Sequence, residues 1–99
     1  MTEGEFQKQV TDLASLEGWL WTHTPDSRRV QGDNGFPDLV LARGGQVIFA
    51  ELKRSPKEKL SDDQERWKEA LEDTVHWSPA PEWYLWTPDD WDEIRAKLW

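Results

Sequence analysis

Two apolar runs, Leu39-Val40-Leu41-Ala42 and Val47-Ile48-Phe49-Ala50, flank an adjacent glycine pair, Gly44-Gly45. A two-residue type I′ turn needs φ > 0 at both central positions, which glycine adopts without steric cost. The spacing therefore predicts a tight β-hairpin over residues 36–53, and a tight turn fixes register. If the two glycines are the loop, Arg43 faces Gln46. Counting outward pair by pair then brings Asp38 opposite Glu51. Lys53 lies two residues beyond Glu51, so the strand's period of two puts it on the same face. Two acids and one lysine converge from spacing alone.

Such a pair is costly when nothing compensates it. Two carboxylates ~5 Å apart repel by roughly 3 kcal/mol at an effective dielectric of about 20, and like charges directly opposite destabilise a strand pair. Either one acid takes up a proton or a cation sits between them. Hard divalent cations with oxygen ligands suit the second remedy, and Mg²⁺ typically takes one or two carboxylates plus waters and phosphate oxygens. A lysine beside such an ion makes sense if a second anion, a phosphate, is also held there.

The rest of the chain supplies the layers around the hairpin. Residues 3–17 read as a helix whose apolar stripe is Phe6, Val10 and Leu13, extended by Ala14 or Leu16, and Gly18 stops it. Residues 19–23 read as a short aromatic strand, and 25–35 as a loop rich in Pro, Gly, Asp and Asn. After a loop over 54–59, Ser61-Asp62-Asp63-Gln64 opens a second helix as a capping box, with Trp67 and Ala70 or Leu71 as its apolar face. A loop over 77–81 leads to a strand over 82–87. Thr87 then N-caps a last helix with Pro88 at its first position. The order is α-β-β-β-α-β-α, an α/β (α+β) arrangement on a mixed sheet.

Composition narrows the chemistry. The 99 residues and 11.7 kDa fit one domain spanning 1–99. No cysteine is present, which removes disulfides, thiolate zinc sites and cysteine nucleophiles. The polar, acidic start is unlike a signal peptide, and no apolar run approaches the ~20 residues that span a bilayer, so a cytoplasmic protein is expected. Twenty acids against twelve bases leave a net charge of −8, where a duplex-coating protein normally shows a basic excess. Against that balance, Lys53, Arg54, Lys57 and Lys59 cluster directly after Glu51, and Arg28 and Arg29 lie in the loop leading to Asp38. The eight tryptophans read as mostly core, with Trp77 the best placed to stack on an unpaired base.

Pro37-Asp38 followed by Glu51-Leu52-Lys53 after a hairpin resembles the PD-(D/E)xK nuclease signature. The wider string Gly35-Phe36-Pro37-Asp38-Leu39-Val40-Leu41, with Phe49-Ala50-Glu51-Leu52-Lys53 and Gln64 on the next helix, is similar to the VRR-NUC branch, the virus-type replication-repair nucleases. The resemblance implies a restriction-endonuclease-like core. It implies a Mg²⁺ (or Mn²⁺) site using Asp38, Glu51, the backbone carbonyl of Leu52 and an acid of the first helix. Glu3 matches that acid, with Glu5 as the second choice. It implies that Lys53 orients or deprotonates the attacking water and that Gln64 helps arrange the site. The activity implied is an endonuclease acting on branched or junction DNA as a homodimer, leaving 5′-phosphate and 3′-hydroxyl ends. A phage or prophage origin would place it in a bacterial host cell.

Blander readings stand beside these. Gln64 is explained by the capping box alone, Glu3 by the helix dipole, and the basic run by a solvated loop. His23 ends the first strand near the expected site, as ligand-side residue or ordinary loop histidine. The acidic balance suggests either a dimer that gathers two basic runs, or an accessory protein that delivers DNA. The competing function is a non-catalytic acidic interaction module or DNA mimic, for which Lys53 inside the acid cluster has no use.

Overall fold

The computed structural model describes residues 1–25, 31–73 and 80–99. Helix α1 runs Glu3–Leu16, strand β1 Leu20–His23, β2 Leu39–Arg43, β3 Gln46–Leu52, helix α2 Asp62–Glu72, strand β4 Glu82–Trp86, and helix α3 Trp91–Leu98. The four strands form one mixed sheet in the order β1-β2-β3-β4. β1, β2 and β3 pair antiparallel, while β3 and β4 are parallel. A parallel pair needs a crossover, and α2 supplies it.

The hairpin register is the expected one. Arg43 pairs with Gln46 and Leu39 with Ala50, and Gly44 and Gly45 both take positive φ, 56° and 84°. Strict alternation then sends Leu39, Leu41, Ile48, Ala50 and Leu52 to one face, where they are fully or almost fully buried. Phe6, Val10 and Ala14 of α1 and Ile94 and Leu98 of α3 pack on them to complete the core. α2 lies on the opposite face, where Phe36 makes edge-on contacts with Phe49 of β3 and Trp67 of α2.

Arg43 closes the turn end of the sheet. Its guanidinium donates to the carbonyl oxygens of Glu17 (2.8 Å), Leu98 (3.0 Å) and Trp99 (2.9 Å), and it stacks 4.3 Å over the Trp19 ring. Trp19 Nε1 donates to the same Leu98 carbonyl at 2.9 Å. The last carbonyls of α3 have no intrahelical partner, so this fork satisfies them while tying α1, β1, β2 and α3 together.

Four expectations need correction. α1 buries Ala14 but leaves Leu16 79% exposed, because the stripe has turned away from the sheet by the last turn. Only Trp19 and Trp86 are buried tryptophans among the described residues; Trp21 is 40% exposed on the edge strand and Trp99 84%. α2 buries none of its residues. Ala70 is exposed, and Trp67 and Leu71 are half-buried, since this acidic helix meets only part of the sheet. The last helix starts with a 3₁₀ turn, Pro88–Asp90, in which Asp90 accepts from the Thr87 backbone N–H at 2.9 Å. Trp77, Arg28 and Arg29 lie outside the described residues.

Candidate active site

The end of the sheet away from the glycine turn gathers the charged residues. Asp38 stands one position before β2, and continuing the observed register places it opposite Glu51. Its backbone carbonyl accepts from Thr24 N at 2.9 Å, so β1 holds it from one side. Its Oδ2 accepts from Leu52 N at 2.8 Å, which ties the carboxylate to β3 from the other. The buried Pro37 next to it fixes φ and stiffens the approach.

Glu51 is 3% exposed. Burial pushes its carboxyl pKa up to about 9; a hydrogen bond with Asp38 and the charge of Asp38 push the same way, and Lys53 pulls it back. With protein side chains as its neighbours, Glu51 holds a proton at neutral pH. The raised carboxyl of Glu51 corresponds to the first of the two remedies expected for the pair, uptake of a proton by one acid.

Gln64 connects the site. Its Nε2 donates to Glu51 Oε1 at 3.0 Å. Its Oε1 accepts from Lys53 Nζ at 3.3 Å and from Ser61 N at 2.9 Å, while Gln64 N donates to Ser61 Oγ at 3.2 Å. The capping box and the contact with the acid pair coexist in one side chain. Lys53 N donates to Trp86 O at 3.0 Å, extending the β3–β4 ladder by one residue.

Glu3 opens α1, and burial followed by the charge of Asp38 raises its carboxyl pKa while Lys53 lowers it. Glu5 is occupied elsewhere: its Oε1 accepts from Thr2 N at 3.0 Å in the capping box of α1. Those bonds to Thr2 lower its pKa. Of the two candidates on the first helix, Glu3 is therefore the one beside the acid pair. Glu3, Gln7, His23, Asp38 and Leu52 line a cleft of about 300 Å³. Gln7 was not evident as a site residue in the sequence, although its spacing of four from Glu3 puts the two on one helix face.

The oxygen-rich donor set of Asp38 and Glu51, with a buried carboxyl whose proton a cation would displace, is chemically suited to a hard divalent ion. Among the described residues no group of three or more His, Cys, Asp or Glu is arranged to hold a metal. Asp38 and Glu51 are thus a pair, with Glu3 coupled to them by charge. Of the basic run, Arg54 is paired with Glu58 at 3.1 Å, and Lys57 and Lys59 are exposed. No described helix is long and apolar enough to cross a membrane.

The fold is shared with solved structures. A structure described as "VRR_NUC domain" superposes with a TM-score of 0.75 at 21% identity, covering 98% of this chain and 97% of its own. A second, "VRR_NUC domain protein", gives 0.68 at 18% identity and covers 100% and 91%. No family model and no curated protein matches the chain. The architecture is accordingly that of VRR-NUC domains, a restriction-endonuclease-like α+β fold.

Proposed function

We propose that this protein is a divalent-metal-dependent endonuclease that hydrolyses DNA phosphodiester bonds. The observation that carries the reading is the set Asp38–Glu51–Lys53–Gln64, in which one carboxamide joins Glu51 to Lys53 and the opposed Asp38 is held by the Leu52 backbone N–H. That set occurs at the end of a sheet with the VRR-NUC fold. Lys53 is the discriminating member, because a DNA mimic or acidic binding module needs no ammonium within its acid pair.

In this reading Asp38 and Glu51, with the Leu52 carbonyl and Glu3, hold Mg²⁺ or Mn²⁺. The ion, when bound, supplies Lewis-acid polarisation of a phosphate oxygen and a more acidic water. Leu52 N fixes the Asp38 carboxylate, so that acid does not have to be ordered during the reaction. Gln64 links Glu51 and Lys53 by hydrogen bonds from its two carboxamide ends. Lys53 presents its ammonium to a non-bridging phosphate oxygen or to the attacking water, offsetting charge that grows in the transition state. In-line displacement leaves 5′-phosphate and 3′-hydroxyl ends.

The substrate we favour is branched or junction DNA, cut by a homodimer, with Lys57, Lys59, Arg54, Arg28 and Arg29 contacting phosphates. The net charge of −8 favours either that pairing of two basic runs or an accessory protein that delivers the DNA. The same charge supports a second reading, a non-catalytic acidic interaction module. The test is a panel of labelled four-way junction, flap and linear duplex DNA incubated with Mg²⁺, Mn²⁺ or EDTA. Metal-dependent cutting that disappears in Asp38→Ala supports the nuclease; equal residual cutting in both proteins assigns the activity to a contaminant.

A further inference from the structure

Gly35 is buried and has φ +94°, and it packs directly on the first turn of α2. A Cβ added there would lie 2.5 Å from Asp63 C, 2.6 Å from Asp63 O and 2.7 Å from Gln64 N. These are backbone atoms, so no side-chain rotation relieves the clash; the spacing between segment 34–36 and α2 has to change. Two neighbours of Gly35 reinforce the contact. Trp67 Nε1 donates to Asn34 O at 3.0 Å, and Phe36 meets the Trp67 ring edge-on at 4.9 Å.

α2 buries no residue, so a core does not set its position. α2 rests partly on β4, where Lys68 lies over the Trp83 ring, and its backbone is approached most tightly by segment 34–36, which leads within two residues into Asp38. We infer that Gly35 is a positioning residue for the site: its missing side chain sets how deeply α2 docks, and through that depth it holds the Gln64 carboxamide on Glu51 and Lys53. The inference deepens the nuclease reading and rests on it for its activity readout, whereas its structural readout is independent.

Gly35→Ala is compared with Gly32→Ala, Gln64→Ala and the Gly35→Ala/Gln64→Ala double variant. Gly32 has a similar φ of +113° but nothing within 4 Å of an added Cβ, so it reproduces the backbone strain without the clash. The expected result is that Gly35→Ala moves the Gln64 side-chain amide resonance, assigned by its loss in Gln64→Ala, toward the position of an unbonded glutamine. Gly32→Ala leaves it in place. Cleavage by Gly35→Ala falls about 10–100-fold, the scale of an ångström-level misplacement. The double variant is no worse than the poorer single one, because both act through one group. If Gly35→Ala does not fold, Trp67→Phe replaces it: loss of the indole N–H to Asn34 shifts the same resonance in the same direction. An unmoved Gln64 resonance in the folded variant, or multiplicative losses in the double variant, overturns the inference. A wild type that cuts no DNA but shows the expected resonance shift removes the nuclease reading and leaves the positioning role standing.

Discussion

Gln64 donates from Nε2 to the buried carboxyl of Glu51 at 3.0 Å, and the same residue caps its own helix. Gln64→Glu separates the two jobs. Glutamate preserves the Ser-x-x-Glu capping box but brings a third carboxyl to the acid pair. We predict that Gln64→Ala lowers stability by about 1 kcal/mol, as loss of a cap does, and that both variants lose most cleavage activity. Thermal melts beside single-turnover cleavage read the difference; an active Gln64→Glu enzyme would reduce Gln64 to a helix cap.

Stability of the metal-free protein should fall as pH rises. The Glu51 carboxyl is raised from 4.5 to about 9 in the folded state. Its contribution is therefore complete below pH ~4.5 and is lost as pH climbs through about 9. Glu51→Gln imitates the protonated form and should flatten this fall. At alkaline pH it should melt higher than wild type by ~4–8 °C for each kcal/mol of repulsion relieved. Differential scanning calorimetry from pH 5 to pH 9 in EDTA checks this, and parallel curves for the two proteins refute it.

Metal should reverse that trend. A cation at Asp38 and Glu51 displaces the Glu51 proton, so binding tightens with pH and the melting temperature gained from it grows. At a free Mg²⁺ concentration 100 times its dissociation constant the gain is about 2.7 kcal/mol. Thermal shift assays with Mg²⁺ at two pH values, with Asp38→Ala as control, measure it. A shift of equal size in Asp38→Ala places the ion elsewhere.

Arg43 should matter for folding and not for chemistry. Its fork reaches three carbonyl oxygens at the far end of the sheet from the acid pair. Arg43→Ala leaves those acceptors short of a charged donor, at a cost of about 1.5–3 kcal/mol. Arg43→Lys should recover only part of this, because an ammonium lacks the planar fork and the stacking on Trp19. Urea melts report the loss; cleavage per folded molecule should stay at the wild-type level.

What was legible before the structure follows how local each determinant is. The glycine pair dictates the hairpin register, so the opposition of Asp38 and Glu51 could be read from spacing, and the observed pairing of Leu39 with Ala50 bears it out. The capping box read at Ser61 is equally local and is formed, whereas the one at Thr2, also a local pattern, went unread. Glu3 and Glu5 sit on adjacent flanks of one turn. Glu3 was the first choice of the two, and the structure adds that Thr2 occupies Glu5. Tryptophan burial was harder still, because it depends on how much of each sheet face a helix covers. α1 and α3 cover the centre of one face, whereas α2 covers the other only in part, so Trp83 and Trp67 end half-buried. The contact of Gly35 with Asp63 spans 28 positions of sequence and has no local signature.

In the proposed metal-dependent reaction Asp38 and Lys53 have separate duties. Mn²⁺ binding and junction cleavage are therefore measured together for wild type, Asp38→Ala and Lys53→Ala. The prediction is that wild type binds and cuts, Lys53→Ala binds but cuts at least about 100-fold more slowly, and Asp38→Ala does neither. Cleavage at the wild-type rate by Lys53→Ala or by Asp38→Ala would contradict the assignment of this site.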